Sequence, residues 1–532
     1  MMIQKPTDAI GDFGSDLGTG NHRAHSDINK TDPINTKKFT YKFNAIMLPA
    51  ILMGGASFMI GSLIATLKPL GRSQVFWCTL GAIVCLVWMG TLKQAQQPDY
   101  ADARQYIGIA VNLAKFGTVS ENINATEETI TPAISREPGY PLLLSQILKI
   151  DGSIDSITGA CLPAKGCGTE PYILAKWTNR LLIVAAGFAM FFAVRGITGN
   201  PFAAIMGGMH IWLNHQAHKN HDYVISDPLA LFLASLLVFA LMWAWKQRNP
   251  LCWIFPGATF VWLAFTKAIY VYFIPVALLA GLCFVILSKN ARRSSLAKVL
   301  VFATVVITPI AFWMDRNHDI SGRYQFTDDR GGIALSTRVV FNEMDLVDYL
   351  AAFTYWTRGA GDGWAESLFP EEVVKPFEWY APEGYYLRGQ LGFGKRVQEI
   401  IETTNLTARE AYDQAEGEMK SSILSHPIKH MVTTLPLIYR GIWIDEFAVL
   451  TFPAFIVLLI CAIKNRNALL VAVLLPSLFS LVFYAAFSLN LARYQMTALP
   501  GFAIAFAFFS TWLVARIKER RQYKNATKTE GS

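Results

Sequence analysis

Pro98-Asp99-Tyr100-Ala101-Asp102-Ala103-Arg104-Gln105-Tyr106 opens a polar loop directly after a long apolar run, and its charges decide how the chain is read. A carboxylate pair just outside a membrane span is costly to keep for structural reasons alone, so it marks a functional site by default. From Asp102 to Phe116, apolar residues recur at Ala103, Tyr106, Ile107, Ala110, Leu113 and Ala114, with Gln105, Asn112 and Lys115 on the other face. That is helical spacing. Asp102 stands where an N-cap stands and Gly117 where a helix stops. The expectation is a helix lying at the membrane surface, its first carboxylate at the helix mouth.

Outward from this loop the chain is apolar. Its 532 residues are 53% hydrophobic and 16% charged, with mean hydropathy +0.32; soluble domains carry about 25% charged residues. Apolar runs near 45–66, 75–92, 180–197, 201–214, 226–245, 251–265, 268–288, 298–314, 447–463, 467–488 and 496–515 predict an all-α polytopic membrane protein of about 11 transmembrane helices. The 201–214 and 251–265 runs are short for a span. No apolar core lies near the start, so no ordinary cleavable signal peptide is expected.

The net charge of +8 sits beside the spans, at Lys246, Arg248, Lys289, Arg292, Arg293, Lys298, Lys464, Arg466 and the tail from Arg516 to Lys524. Short basic loops on one side follow the positive-inside rule, and no basic face suggests nucleic acid as a partner. Threading back from a cytoplasmic tail places 93–178 and 315–446 outside. The expected organisation is a disordered tail (1–44), early spans (45–92), a first catalytic extracytoplasmic loop (93–178), a bundle (179–314), a small helical extracytoplasmic domain (315–446), late spans (447–515) and a basic tail (516–532). This threading leaves the N-terminal tail outside despite Lys37, Lys38 and Lys42.

Cys78, Cys85, Cys252, Cys283 and Cys461 lie in apolar runs and are expected to be packing residues. Cys161 and Cys167 frame a short outside loop, where a disulfide is favoured over a metal site.

Four polar features converge on the outer side: Asp99 with Asp102; Arg136-Glu137-Pro138-Gly139-Tyr140-Pro141; the segment from His215 through Asp222 to Ser226-Asp227-Pro228; and Arg493-Tyr494, with Lys267 nearby. Carboxylates that can accept a proton thus face fixed cations. Such a set suits group transfer from a membrane-embedded phosphate donor to a hydroxyl or amine, with a carboxylate as base and Arg or Lys on the phosphate.

The Asp102-x-x-x-Tyr106 start, the helix ending Leu113-Ala-Lys-Phe-Gly-Thr-Val-Ser120, and the Arg136-to-Pro141 block resemble the GT-C class of membrane glycosyltransferases. Within it, the chain resembles the protein-mannosyltransferase and aminoarabinose-transferase superfamily, including its rhizobial galacturonosyltransferase-like members. Ser226-Asp227-Pro228, Leu263-Ala-Phe-Thr-Lys267, Ser425-His426-Pro427 and Ala492-Arg493-Tyr494 extend the resemblance over most of 75–515. It implies a polyprenyl-phosphate sugar donor, an envelope acceptor, membrane lipids around the protein, inversion at the anomeric carbon and an inner-membrane location with a periplasmic site. It also implies Asp102 as base and Arg136 on phosphate; the polar features themselves make Asp99, Arg104, Tyr106, Glu137, Asp222, Asp227, Lys267, Arg493 and Tyr494 substrate-binding candidates. The aminoarabinose transferases carry a basic residue three positions after the aspartate; here stands Gln105, with Arg104 one earlier.

Other readings stay open on the sequence. Asp102 and Asp227 can act as helix caps. Asp99 can be a solvated loop residue, or can join Asp102 around a divalent cation, the one cofactor considered. Arg136, Lys267 and Arg493 can anchor to headgroups. His215, His218 and His221 have only one adjacent acid, Asp222, a poor zinc set. The rival functions are a lipid-linked saccharide flippase, a non-catalytic lipid-binding scaffold and a metal-dependent oligosaccharyltransferase-like enzyme.

Overall fold

The computed structural model describes residues 71–530 except 93, 96, 101, 163–165, 288–291 and 329–330, with backbone alone for 524–530. The polar tail 1–44 and the 45–66 run lie outside the described residues. Among the described residues the chain is helical, without a strand.

Ten of the expected apolar runs fall on helices: α1 (Arg72–Thr91), then, past α2 (Asp102–Phe116) and α3 (Gly139–Asp151), α4 (Ile173–Thr198), α5 (Pro201–Trp212), α6 (Asp227–Lys246), α7 (Ile254–Thr266), α8 (Ile269–Leu287), α9 (Arg292–Ser321), α14 (Ala448–Lys464), α15 (Ala468–Phe487) and α16 (Leu499–Glu530). Between α9 and α14 lie α10 (Gly331–Val340), α11 (Tyr385–Thr403), α12 (Ala408–Ser425) and α13 (Pro427–Ile442). Seven of the apolar helices, those built on α1, α4, α6, α8, α9, α15 and α16, are long and apolar enough to cross a membrane. The short ones are α5, α7 and α14.

Local chemistry sets the breaks. Gly199 takes the left-handed conformation at φ +67° and its N–H returns to Arg195 O, closing α4. The Asn200 side chain then accepts from Phe202 N at 2.9 Å and Pro201 opens α5. The α4–α5 hairpin packs against α1 around Trp212, whose indole donates to Val184 O at 2.9 Å. Gly81 and Gly187 lie against its ring, where a Cβ would collide.

Helix α6 is the bundle's centre, with 83% of its apolar window buried against 17% for α8. Polar residues therefore cluster at its start, where Asp227 faces the helix N-terminus and Pro228 needs no donor.

Helix α2 runs over 102–116, as its spacing predicts, and Gly117 ends it at φ +70°. Most of its residues are buried within the protein. Asn112, expected on the polar face, is buried and donates to Ser120 O at 2.7 Å and Asn122 O at 3.0 Å. The 118–122 segment folds back over the helix, so its carbonyls satisfy the amide that water was expected to solvate. Of the apolar-run cysteines, Cys283 and Cys461 are exposed rather than packed inside, because α8 and α14 turn those faces away from the bundle.

Outside the bundle, α11 and α12 share a small core of Phe393, Ile400, Ala411 and Ala415. A second core joins Phe341, Phe377 and Tyr385 to Leu437 and Leu489 beside α15. Thr407 and Glu410 form the capping box that starts α12.

Candidate functional site

The first turn of α2 carries Asp102, Gln105 and Tyr106 on one face, by i, i+3 and i+4 spacing. One guanidinium reads that whole face. Arg136 donates through Nη2 to Asp102 Oδ1 at 2.6 Å and through Nε to Gln105 Oε1 at 2.7 Å. Its carbon centre lies 4.9 Å from the Tyr106 ring centroid. A basic residue at 105 would repel Arg136; the glutamine accepts from it instead. Arg136 is buried, which opposes its charge, yet Tyr106, Asp102 and Glu137 hold it protonated above its ordinary range.

The second Asp102 oxygen belongs to another segment. Arg493, in the 3₁₀ turn before α16, donates to Asp102 Oδ2 at 2.6 Å. The Asp102 side chain keeps 35% exposure against 6% for Arg136, so the carboxylate stays reachable while its partner is fixed.

Behind Tyr106 the site continues into the bundle. Its hydroxyl lies 3.2 Å from Ser226 Oγ, and its ring meets Tyr140 edge-on at 5.5 Å. Next to Ser226, Asp227 accepts from Lys267 Nζ at 2.6 Å. Burial works against the Lys267 ammonium, and Asp227 more than restores it, raising its proton affinity above normal. Glu137 accepts from Ala268 N at 3.2 Å, locking the Arg136 loop to the α7–α8 turn. Gly139 is needed here because a Cβ would sit 2.7 Å from the Phe265 carbonyl and Thr266 Oγ1.

Asp102, Tyr106, Arg136, Glu137, Asp227, Lys267, Arg493 and Tyr494 thus form one cluster, Tyr494 beneath the Arg493 guanidinium at 5.4 Å. Arg104 sits over Tyr100, 5.7 Å from its centroid. Two further expected residues have other partners. Asp99 is buried, not solvated, and accepts from Cys167 N at 2.6 Å and Tyr172 OH at 3.2 Å. Cys161 and Cys167 are disulfide-bonded, so Asp99 anchors that loop. Asp222 is also buried, 3.0 Å from Lys176 Nζ, and accepts from Ala95 N at 2.6 Å, which ties the start of the loop to α4.

The three histidines are placed by packing and hydrogen bonds: two of them share Trp88. His215 stacks on Trp88, His218 meets Trp88 and Cys85 Sγ, and His221 faces Arg180.

Sequence reasoning missed a set from the distant segment between α9 and α14. Tyr386 lies within electrostatic reach of Tyr494, Arg493 and Asp102, and stacks on Trp379 at 3.6 Å. Arg440 lies between Trp356 and Trp379, 5.0 and 5.8 Å from their centroids. No local motif marks these residues; only the packing of α11 and α13 brings them beside Tyr494.

Among known proteins, no family model matches the chain and no curated protein sequence does. Among solved structures it is similar to that of ArnT from Cupriavidus metallidurans in the apo state, at 14% identity, over 82% of this chain and 77% of that one, with a TM-score of 0.35. A likeness at this level assigns neither a family nor an activity.

Proposed function

We propose that the chain is an integral membrane glycosyltransferase of GT-C type, moving a sugar from a polyprenyl-phosphate donor to an envelope acceptor on the extracytoplasmic face. The observation that carries this reading is the Asp102 carboxylate held between Arg136 and Arg493, each at 2.6 Å.

In this state both carboxylate oxygens are occupied by guanidinium donors. A donor phosphate arriving between the arginines offers them a better-matched bidentate partner. The exchange frees Asp102 to accept a proton. The acceptor hydroxyl oxygen then bonds to the anomeric carbon as its proton passes to Asp102. The bond from that carbon to the phosphate oxygen breaks on the opposite face, with inversion, and the electron pair leaves on the phosphate. Arg136, Arg493 and Lys267 stabilise the charge gained there. Asp99, the second oxygen ligand considered for a divalent cation, is turned into the disulfide loop. The chemistry is therefore written on side chains alone.

The test is transfer by the purified protein in lipid discs, given a panel of polyprenyl-phosphate sugars and an envelope extract. Asp102→Asn keeps the shape but loses the base. A folded variant at least roughly 100-fold slower supports the role. Undiminished activity moves the base elsewhere, and inactive wild type with every donor overturns the enzyme reading.

A further inference from the structure

On the side of the bundle away from Asp102 lies a crevice of about 460 Å³. Its walls are the far halves of α6, α7, α8, α9 and α15, and include Leu241, Trp245, Phe273, Phe284, Phe302 and Leu475. The chain direction fixes its position. Helix α6 leaves the Asp227 end of the site and reaches Trp245 one residue before its last, Lys246. Volumes of roughly 300–1,000 Å³ are those of small-ligand sites. The walls are apolar, and α8 and α9 are the least buried of the long apolar helices, so the crevice opens toward the surrounding lipid.

Its rim is cationic. Lys298 and Arg466 both line it, and among the described residues neither has a carboxylate within ion-pair distance. Nor does sequence supply one nearby: no Asp or Glu occurs from 228 to 314 or from 447 to 518. The buried Trp253 Nε1 in the same wall also lacks a hydrogen-bond acceptor.

We infer that this crevice binds an anionic phospholipid from the leaflet opposite the Asp102 site, with one acyl chain between α8 and α15 and its phosphate at Lys298 and Arg466. Basic pockets between membrane helices recognise anionic headgroups in this way. The proposed sugar donor does not fit here, because its phosphate must lie at the other end of the bundle. The lipid site is independent of the transfer reading, since neither rim residue touches the Asp102 cluster.

Native mass spectrometry of the full-length protein, titrated with phosphatidylglycerol and with phosphatidylcholine of the same chains, tests this. Wild type is expected to prefer phosphatidylglycerol by roughly 30-fold, from two headgroup cations. The double variant Lys298→Gln/Arg466→Gln should bind the two lipids equally, and Ala277→Phe, which fills the crevice, should weaken both. Equal binding by wild type, a preference that survives in the charge variant, or full binding by Ala277→Phe overturns the site, as does stronger competition by a polyprenyl phosphate than by phosphatidylglycerol. Circular dichroism confirms folding. If Ala277→Phe does not fold, the Lys298→Gln/Arg466→Gln variant decides, since Arg466 is exposed and Lys298 half-buried.

Discussion

Arg493 places Nη2 2.6 Å from Asp102 Oδ2 across 391 positions of sequence. The contact ties the turn before α16 to the start of α2. It also completes a clamp whose other arm, Arg136, comes from 34 positions away. Removing one arm leaves the other, so the clamp can be taken apart in steps.

Arg493→Gln is expected to lower kcat/KM for a lipid-linked donor on the order of 100-fold, the cost of losing one charge-stabilising donor. Arg493→Lys should restore only part, because an ammonium lacks the bidentate fork. Steady-state kinetics on both variants decide, and unchanged kinetics in Arg493→Gln would remove Arg493 from the site.

Gly139→Val should impair transfer without dissolving the bundle. Even a Cβ meets the Phe265 carbonyl at 2.7 Å, so the Arg136 loop must lift from the α7 end that carries Lys267. Small displacements of positioning groups cost on the order of 100-fold in rate. Activity equal to wild type, with an intact circular dichroism spectrum, would contradict this placement.

Asp99→Ala should act on stability. It leaves the Cys167 N–H and the Tyr172 hydroxyl without their acceptor, at a cost of about 1–3 kcal/mol. Thermal unfolding in detergent reads the shift. Transfer per folded molecule should stay near normal; its selective loss would return Asp99 to the catalytic set.

Arg338→Met should be destabilising, by about 1.5–3 kcal/mol, as for losing buried hydrogen bonds to a charged group. This fully buried guanidinium donates to Ala485 O, His430 O, Asn342 Oδ1, Thr433 Oγ1 and Thr434 Oγ1, joining the outer cores to the bundle. Limited proteolysis should cut the outer segment first; an uncleaved variant would show that the network is dispensable.

The pH response follows from His430. Its Nε2 faces Ala486 O at 3.0 Å and its Nδ1 faces the Asn342 amide nitrogen at 3.2 Å, which suits a neutral ring. Burial, with the Arg338 charge beside it, brings its pKa down to about 4. Between the unfolded value near 6.5 and that folded value, the unfolded chain binds more protons. Stability from this group is therefore complete above about pH 6.5 and is lost as pH falls toward 4. His430→Gln should flatten that part of the melting-temperature profile; an identical slope would assign it to other groups, His218 foremost, whose burial also brings it to about 4.

Helix positions, their breaks and the disulfide were determined by sequence alone, because each depends on neighbours a few positions apart. The 102–116 helix, the Gly199-Asn200-Pro201 break and the Cys161–Cys167 loop are of this kind. The residue types of the site could also be read there, since charges at the edge of apolar runs stand out. Partnership could not. Asp99 and Asp102 lie three positions apart in one loop, yet one anchors a disulfide and the other sits between two arginines. Asn112 has the composition of a solvated face and is buried under folded-back chain. Arg440 and Tyr386 carry no motif and still stand beside Tyr494. A buried or half-buried charge must find a counter-charge or donors, and which ones lie within reach is set by how α2, α6, α7, α13 and α16 pack. Burial makes those pairings obligatory, and only the tertiary structure chooses them.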